Sequence, residues 1–485
     1  MSKEIRSLEP KALWNNFADL NSVPRGSKKE EGVVQFMVDF GKNLNLETVV
    51  DPVGNVIIKK PATKGMETRK TVVLQSHLDM VHQKNADTHF DFDKEGIKMV
   101  IDGEWVKAEG TTLGADNGLG VAAIMSVLAS KELIHPAIEA LFTIDEETGM
   151  TGAKGLQSGY LVGEILLNLD TEDDSEIDIG CAGGIDISAK NGYNEVSSPS
   201  NGTGYIIAVK GLNGGHSGMD IHKGLGNANK IMNRLMYETQ EYMRVSEIDG
   251  GGLRNAIPRE SFAKIAVYNS QKDAFLKRFN NVSKDIKKEL KSVDSNLNIS
   301  LEEITIPKRV MTLISQTTLL NTLYATLHGV YRMSNDMKDL VETSNNLARV
   351  IVKDEGIEIM CLTRSSVESS KMDLANTLTS TYEMAGYKVE LFGSYPGWKP
   401  NINSPILGLL KDTYEKLFKI KPSVVACHAG LECGILGTNY PEMDMISFGP
   451  TITGAHSPDE KANIKSTQKF WLYLVTILEN IPFKK

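Results

Sequence analysis

Hydrophobic and polar positions along the first 180 residues follow two alternating periodicities. Short continuous apolar runs, typical of strands buried on both faces of a sheet, occur in "IEALFTI" and "EILLNLD", and the segments "NVIIKK" and "TVVLQS" are also predicted to be strands. Helix-like segments lie between them, in "NGLGVAAIMSVLAS" and in "GSKKEEGVVQFMVDFGKNL", where Ser27 and Glu30 have capping-box spacing. This alternation predicts an α/β fold.

The pattern is interrupted after residue 180 by "GCAGGIDISAKNGYNEVSSPSNGTG", which is rich in Gly, Ser and Asn, and indicates the end of one domain. The proline-containing segment "SYPGWKPNINSP" indicates that the chain returns to the first domain. After it, "ILGLLKDTYEKLF" and "STQKFWLYLVTILENI" again have the pattern of an α/β domain. We therefore predict a first domain built from residues 1–185 and 398–485, and an inserted α/β domain at residues 186–397.

Two stretches of the inserted region look alike and hint at an internal duplication. They are "GGGLRNAIPRESFAKIAV" and "VETSNNLARVIVKDEGIEIMCLTR", and each places an Asn-containing polar turn before a strand.

Composition limits the class of protein and its partners. A chain of 485 residues with 41% hydrophobic content suits two domains. The net charge of −9, with Lys and Arg scattered, argues against nucleic-acid or membrane partners and favours small molecules. The N-terminal "MSKEIRSLEPKALWNNF" lacks an apolar signal core, and four cysteines are too few for a disulfide framework, so we expect a cytoplasmic protein.

Candidate chemistry lies at predicted strand ends and in glycine-rich turns. The segments are "VVLQSHLDM", "TTLGADNGLG", "LFTIDEETG" and "LLNLDTEDD", and ligands bind outside the carboxyl ends of strands in open α/β sheets. A fifth segment, "GPTITGAHSPDEKANI", offers a histidine before an apparent helix start at Ser-Pro-Asp-Glu. Such imidazole and carboxylate donors suit zinc, manganese or cobalt.

In this order the five segments resemble the co-catalytic metallopeptidases, a family that includes peptidase T, carnosinases and succinyl-diaminopimelate desuccinylase; the aminoacyl-histidine dipeptidase branch is the most similar. The resemblance covers the whole chain and implies a mixed-sheet catalytic domain with an inserted lid domain. It implies two divalent metal ions per chain, zinc being favoured over manganese or cobalt. One ion would be held by His77, Asp116 and Asp170, and the other by Asp116, Glu147 and His456.

The resemblance also implies roles for the neighbours of these ligands. Glu146 would be the general base, and Asp79 would accept a hydrogen bond from His77 and fix its tautomer. A cis peptide is expected after Asp116. Taken singly, His77 could be an ordinary core histidine and "DEETG" a solvated turn, but the joint occurrence of all five segments in the matching order favours the metal site.

In the inserted region the resemblance implies that His216 stabilises the oxyanion and that Arg364 and Asn255 bind the C-terminal half of the substrate. Alone, His216 would be a turn residue and Arg364 a solvated arginine at a strand edge. "ACHAGLECG" has no fourth zinc ligand nearby, and we expect it to act through its backbone.

The resulting hypothesis is a metal-dependent dipeptidase of broad specificity, including Xaa-His substrates, that binds small peptides and neither nucleic acid nor membrane. A homodimer is compatible with the resemblance, because relatives with a short lid pair through it, although a double-length lid could replace the partner. One alternative is an amidohydrolase for N-acyl amino acids. Another is a binding protein without activity, which would not need the general base Glu146.

Overall fold

The computed structural model describes residues 3–484, which form two compact units. The first unit contains the described residues up to Gly180, Pro400–Ala426 and the described residues from Leu431 onward. The second unit contains Cys181–Lys399 and Cys427–Gly430. The domain limits at residues 185 and 397 stay predictions.

The chain before the second unit provides the first part of the first unit. Its helices are α1 (Lys11–Leu20), α2 (Glu31–Asn43), α3 (Ala115–Ala129) and α4 (Thr151–Gly155). Its strands are β1 (Glu47–Val50), β2 (Val56–Lys60), β3 (Val72–His77), β4 (Met99–Asp102), β5 (Trp105–Ala108), β6 (Ile138–Thr143), β7 (Ile165–Asn168) and β8 (Glu176–Cys181).

The second unit follows. Its helices are α5 (Ala228–Thr239), α6 (Lys272–Glu289), α7 (Leu313–Ala325) and α8 (Glu368–Met384). Its strands are β9 (Gly183–Gly192), β10 (Glu195–Ser197), β11 (Gly202–Lys210), β12 (Gly215–His216), β13 (Met243–Gly251), β14 (Ala256–Ile257), β15 (Ser261–Tyr268), β16 (Asn298–Ile304), β17 (Arg309–Met311), β18 (Gly329–Met333), β19 (Val341–Lys353), β20 (Gly356–Ser365) and β21 (Lys388–Tyr395).

The chain then returns to the first unit. This part contains the helices α9 (Pro405–Phe418), α10 (Glu432–Asn439) and α11 (Ile464–Glu479), and the strands β22 (Ser423–Cys427), β23 (Asp444–Ser447), β24 (Ile452–Thr453) and β25 (Lys461–Asn463). Among the helices within residues 3–484, none has the length and apolar character needed to cross a bilayer.

The main sheet of the first unit has eight strands in the order β1-β2-β6-β3-β7-β23-β8-β22. Strand β3 pairs in parallel with β6 and β7, and β23 pairs in parallel with β7, whereas β2 pairs antiparallel with β1 and β6. Every residue of β3, β6 and β7 is buried, as the continuous apolar runs of β6 and β7 predicted. The mixed α/β fold is confirmed, and the carboxyl ends of the four parallel strands β6, β3, β7 and β23 meet at one edge of the sheet.

The sheet of the second unit has nine strands and two halves with the same topology. Strands β16-β11-β15-β13 form one half and β19-β20-β9-β21 the other, with β18 added beside β19. Each half contains, in chain order, strand, helix, strand, strand, helix, strand: β11-α5-β13-β15-α6-β16 and β9-α7-β19-β20-α8-β21. The first half lies between β9 and α7, so the second half is discontinuous in sequence. The halves join through antiparallel pairing of β13 with β19. This shared topology supports the internal duplication.

The helix predicted after residue 26 is present as α2, but its predicted cap is wrong. The Ser27 hydroxyl donates to Asp79 Oδ2 at 2.8 Å, and Glu30 Oε1 accepts from the backbone N–H of Asp145 at 3.0 Å. Glu30 makes no side-chain cap bond to α2. Glu30 Oε1 also accepts the N–H of Lys28 at 2.9 Å. The bonds to Asp79, Asp145 and Lys28 take the place of the two bonds of a capping box.

The helix start predicted at Ser-Pro-Asp-Glu is also wrong. Residues 457–460 form a loop that leads into β25, and α11 begins only at Ile464, where Asn463 accepts from the N–H of Ser466. The carboxylate of Glu460 caps a different helix, as described below.

Candidate metal centre

His77, at the end of β3, is the centre of a first group of metal-ligand atoms. Its Nε2 lies 3.1 Å from Asp116 Oδ1 and 3.5 Å from Asp170 Oδ1. Asp116 lies in the first turn of α3, and Asp170 follows β7. One donor atom from each of the three residues lies within 4.8 Å of the other two.

A second group is built around His456, in the loop between β24 and β25. His456 Nε2 lies 3.2 Å from Asp116 Oδ2 and 2.9 Å from Glu147 Oε2. Asp116 therefore directs one carboxylate oxygen toward each group. The structure brings together all five side chains that the sequence proposed as metal ligands, and all five belong to the first unit.

The donor atoms of both groups are of the kind that a divalent cation takes, and they lie close to the spacing it needs. Donors about 2.0–2.2 Å from a tetrahedral zinc ion lie roughly 3.3–3.6 Å apart, and the histidine–carboxylate distances here, 2.9–3.5 Å, overlap that range at its lower end and extend a few tenths of an ångström below it. Glu147 Oε1 is buried and has no hydrogen-bond partner among the described residues. A buried carboxylate oxygen is costly to leave unpaired, and a cation would satisfy it.

The carboxylates of the two groups also stabilise positive charge on the atoms beside them. Hydrogen bonds to Asp116 and Glu147 raise the pKa of His456 to about 11. Burial lowers the pKa of His77, but the charge of Asp170 and hydrogen bonds to neighbouring carboxylates outweigh it and raise that pKa well above its usual range. Burial opposes ionisation of Asp116, yet hydrogen bonds from both histidines hold its pKa below the usual range.

Asp79 connects His77 to the acidic pair Glu146 and Glu147, which follows β6. His77 Nδ1 lies 3.1 Å from the backbone oxygen of Asp79 and 3.3 Å from its Oδ1. Asp79 Oδ1 also accepts the N–H of Glu146 at 3.0 Å, and its Oδ2 accepts that of Glu147 at 3.2 Å. With Nδ1 holding a proton against Asp79, a metal ion in the first donor group would replace the proton of Nε2 and take that nitrogen as its ligand.

The three consecutive acids after β6 have different surroundings. Asp145 is buried and accepts hydrogen bonds from Thr148 and Thr151. Glu147 belongs to the second donor group, whereas Glu146 belongs to neither. Burial raises the pKa of Glu146 well above its usual range, and the charges of Asp170, Glu432 and Glu147 add to this.

The peptide bond between Asp116 and Asn117 is cis, which confirms that expectation. The Asn117 side chain donates to the backbone oxygen of Leu169 at 2.9 Å and to the carboxylate of Asp170. Asn117 thus links the start of α3 to the loop that follows β7.

Two buried carboxylates near the centre were missed from the sequence. Glu432 Oε2 accepts from Gln75 Nε2 at 2.6 Å and from Thr143 Oγ1 at 2.7 Å, and burial raises the pKa of Glu432 to about 7. Glu460 accepts four backbone N–H groups at the start of α3. The bonded partners are 289 to 357 positions away in the sequence, so no local pattern could reveal them.

His216 lies in the second unit with a defined tautomer. Its Nδ1 accepts the N–H groups of Gly218 and Met219 at 3.2 and 3.1 Å, so neutral imidazole carries its proton on Nε2. Burial and the charge of Arg364 lower the pKa of His216 and keep the ring neutral. The ring therefore presents an N–H donor on the side away from its own loop.

Arg364 and Asn255 lie near His216 in the second unit. Arg364, on β20, is buried; its Nε donates to Ser217 Oγ at 3.3 Å and its Nη1 to the Tyr395 hydroxyl at 2.8 Å. The N–H of Ser217 donates to the backbone oxygen of Asn255 at 2.8 Å, and the Asn255 side chain is exposed. The structure thus groups all three residues that the resemblance assigned to substrate.

The segment "ACHAGLECG" makes backbone contacts in the second unit. The backbone oxygens of Cys427 and Ala429 accept the N–H of Ala182 at 3.0 and 2.9 Å. His428 Nε2 lies 2.8 Å from Ser344 Oγ. A β-carbon on Gly218 would lie 1.9 Å from the backbone oxygen of His428, which is why only glycine fits there.

The chain is similar to known proteins along its whole length. Residues 73–480 match the profile of Peptidase family M20/M25/M40. The cytosol non-specific dipeptidase of Escherichia coli strain K12 is 46% identical over 483 residues, which cover 99% of this chain and 100% of that protein.

Solved structures are also similar to this chain over nearly its whole length. The aminoacylhistidine dipeptidase from Vibrio alginolyticus has a TM-score of 0.94 and 45% identity, covering 100% of this chain and 99% of that chain. The aminopeptidase PepT from Bacillus cereus shares the fold. Its TM-score is 0.58 and its identity 17%, over 98% of this chain and 99% of that chain.

Proposed function

The chain belongs to peptidase family M20/M25/M40, and on that basis we propose that it hydrolyses dipeptides with two divalent metal ions. It is a peptide hydrolase by membership of that family. One observation carries the metal-dependent mechanism: Asp116 directs one oxygen at each of two histidine-containing donor groups. The dipeptide substrate is supported by the names of the relatives that are 46% and 45% identical to this chain.

The two donor groups would hold the ions, zinc being favoured and manganese or cobalt also suited to these ligands. Ions bound there would supply Lewis-acid chemistry, lowering the pKa of a bound water and polarising the peptide carbonyl. Asp79 keeps the proton of His77 on Nδ1, so that Nε2 remains available as a ligand. The distances between donor atoms support this assignment.

Glu146 is proposed as the general base. It follows β6 beside Glu147, its N–H is held by Asp79, and it belongs to neither donor group, so its carboxylate remains available for proton transfer. Glu146 would take the proton of the attacking water and pass it to the departing amine.

The second unit is proposed to recognise the substrate. The Nε2–H of His216 would donate to the developing oxyanion, because its Nδ1 is already occupied by two backbone N–H groups. Arg364 and Asn255 would bind the C-terminal half of the dipeptide, for which a guanidinium is well suited. The name of the Escherichia coli relative supports a cytosolic location, and a homodimer remains compatible with these roles.

The test is a panel of dipeptides, including Xaa-His, assayed beside N-acetyl and N-succinyl amino acids, before chelation, after chelation and after zinc is returned. We expect dipeptides to be hydrolysed, the N-acyl compounds to be poor substrates, and activity to be lost and restored with the metal. Full activity in chelator, with no transition metal in the protein, would contradict the mechanism. Preference for N-acyl amino acids would favour the amidohydrolase alternative.

A further inference from the structure

The start of α3 is capped by a carboxylate that comes from the other end of the chain. Glu460 Oε2 accepts the N–H groups of Leu113 and Gly114 at 2.7 and 2.9 Å, and its Oε1 accepts those of Ala115 and Asp116 at 2.7 and 3.2 Å. The Glu460 side chain is buried. One carboxylate thus satisfies four consecutive backbone donors.

These four donors need such an acceptor because the helix offers none itself. The N-cap residue of α3, Gly114, has no side chain, and Asp116 and Asn117 have non-helical backbone angles. Free N–H groups at a helix start attract anions. Without Glu460 they would compete for the carboxylate of Asp116, whose two oxygens are directed at the two donor groups.

Gly114 is held from its other side by Arg25. The buried Arg25 guanidinium donates through Nη2 to the Gly114 oxygen at 2.5 Å and through Nη1 to the Leu78 oxygen at 3.1 Å. Gly114 has φ of +70°, and a β-carbon there would lie 2.4 Å from Arg25 Nη2. Glu460 and Arg25 together fix the turn that precedes Asp116 relative to the loop after His77.

We propose that Glu460 is a positioning residue that sets the affinity of the second donor group for its metal ion. Glu460 lies four residues after His456, so one short loop carries both a ligand of the second group and the anchor of the shared ligand Asp116. Loss of this anchor lets Asp116 and His456 move independently. The inference rests on the proposed two-metal function.

The test compares Glu460→Gln with the matched control Glu139→Gln. Glu139 is also a buried glutamate of the first unit that accepts backbone N–H groups, from Val162 and Gly163 at 2.8 and 2.9 Å, but it lies at the start of β6, away from the donor groups. Apo protein is titrated with Zn²⁺, and with Co²⁺ to follow each site by absorption. Melting temperatures are recorded in parallel.

We expect Glu460→Gln to weaken metal binding at the second donor group by roughly 10–100-fold, as for other partners of metal ligands, and to affect binding at the first donor group less. At saturating zinc, KM for a dipeptide should be unchanged and kcat largely restored. Glu139→Gln should lower the melting temperature but leave metal affinity unchanged. If Glu460→Gln does not fold, Glu460→Asp, which keeps the charge, is expected to show the same pattern with a smaller loss.

Wild-type affinity for both equivalents in a Glu460 variant whose melting temperature has fallen would overturn the inference and leave Glu460 with a structural role only. A wild-type protein that binds fewer than two ions would instead overturn the proposed function, and the inference with it. The number of metal ions bound by the wild-type protein therefore distinguishes failure of this inference from failure of the proposed function.

Discussion

Exchange of Glu146 or Glu147 for glutamine tests whether adjacent, chemically identical side chains have different tasks. Glu147 Oε2 lies 2.9 Å from His456 Nε2, and Glu147 Oε1 is buried without a hydrogen-bond partner among the described residues. Glu146 is in neither donor group. Glutamine keeps the size of either side chain but removes its charge and its basicity.

For Glu146→Gln we expect two bound metal ions and a kcat reduced by about 10²- to 10⁴-fold, the usual contribution of a general base. At 1.36 kcal/mol per tenfold change, this loss is about 2.7–5.4 kcal/mol of transition-state stabilisation. For Glu147→Gln, one of three donors in the second group loses its charge. The loss of metal affinity should exceed the roughly 10–100-fold typical of residues that only support a ligand.

The assay measures metal content after dialysis and kcat with dipeptide at saturating zinc. Glu132→Gln, at an exposed position after α3, is the matched control and should behave as wild type. If Glu146→Gln lost metal while Glu147→Gln kept two ions and only turned over slowly, the two roles would have to be exchanged. If neither variant changed metal content or kcat, the assigned centre would be wrong.

Three further results are expected. Mixing Glu146→Gln chains with His216→Ala chains under subunit exchange should recover no activity, because we expect the duplicated second unit to replace a partner's lid within one chain. Substantial recovery would show that His216 works across a dimer. Asp79→Asn should weaken metal binding by about 10–100-fold, measured by zinc titration, and unchanged affinity would remove the proposed control of the His77 tautomer. Asp294 accepts the N–H groups of Asn213 and Gly226 at 2.7 Å each and so joins the two ends of the loop that carries His216. Asp294→Ala should therefore lower kcat and leave the metal content unchanged. Wild-type kinetics in this variant would contradict the expectation.

The sequence predicted those features that depend on local periodicity and on parallel-sheet geometry. Continuous apolar runs identified β6 and β7, the β3 segment also had the pattern of a strand, and the carboxyl ends of parallel strands necessarily meet at one edge. Sheet geometry therefore predicts that donors as far apart in sequence as His77 and Asp170 converge, and the family resemblance assigns both to one metal ion. The roles of these residues stay predictions until the variants are measured.

The sequence failed where a polar side chain has its partner far away. Ser27 and Glu30 have the spacing of a capping box, but their bonds go to Asp79 and Asp145. Glu460 was taken as part of a helix start within its own segment, and it caps a helix more than 340 positions earlier. Charge and spacing describe what such residues can bond, whereas only the folded chain decides which donors reach them.

The duplicated sheet of the second unit has a consequence for how this protein can change. In a symmetric dimer, every substitution is made twice, so a change that improves one copy of a surface also alters the other. Here the two halves are encoded by different residues of one chain, with β9 of the second half preceding the first half and the rest following it. His216 lies in the connection after β11, and Arg364 lies on β20 of the other half. The sequence of each half can therefore change independently of the other. The two strands that join the halves, β13 and β19, can come to differ in sequence while His216 and Arg364 are both kept.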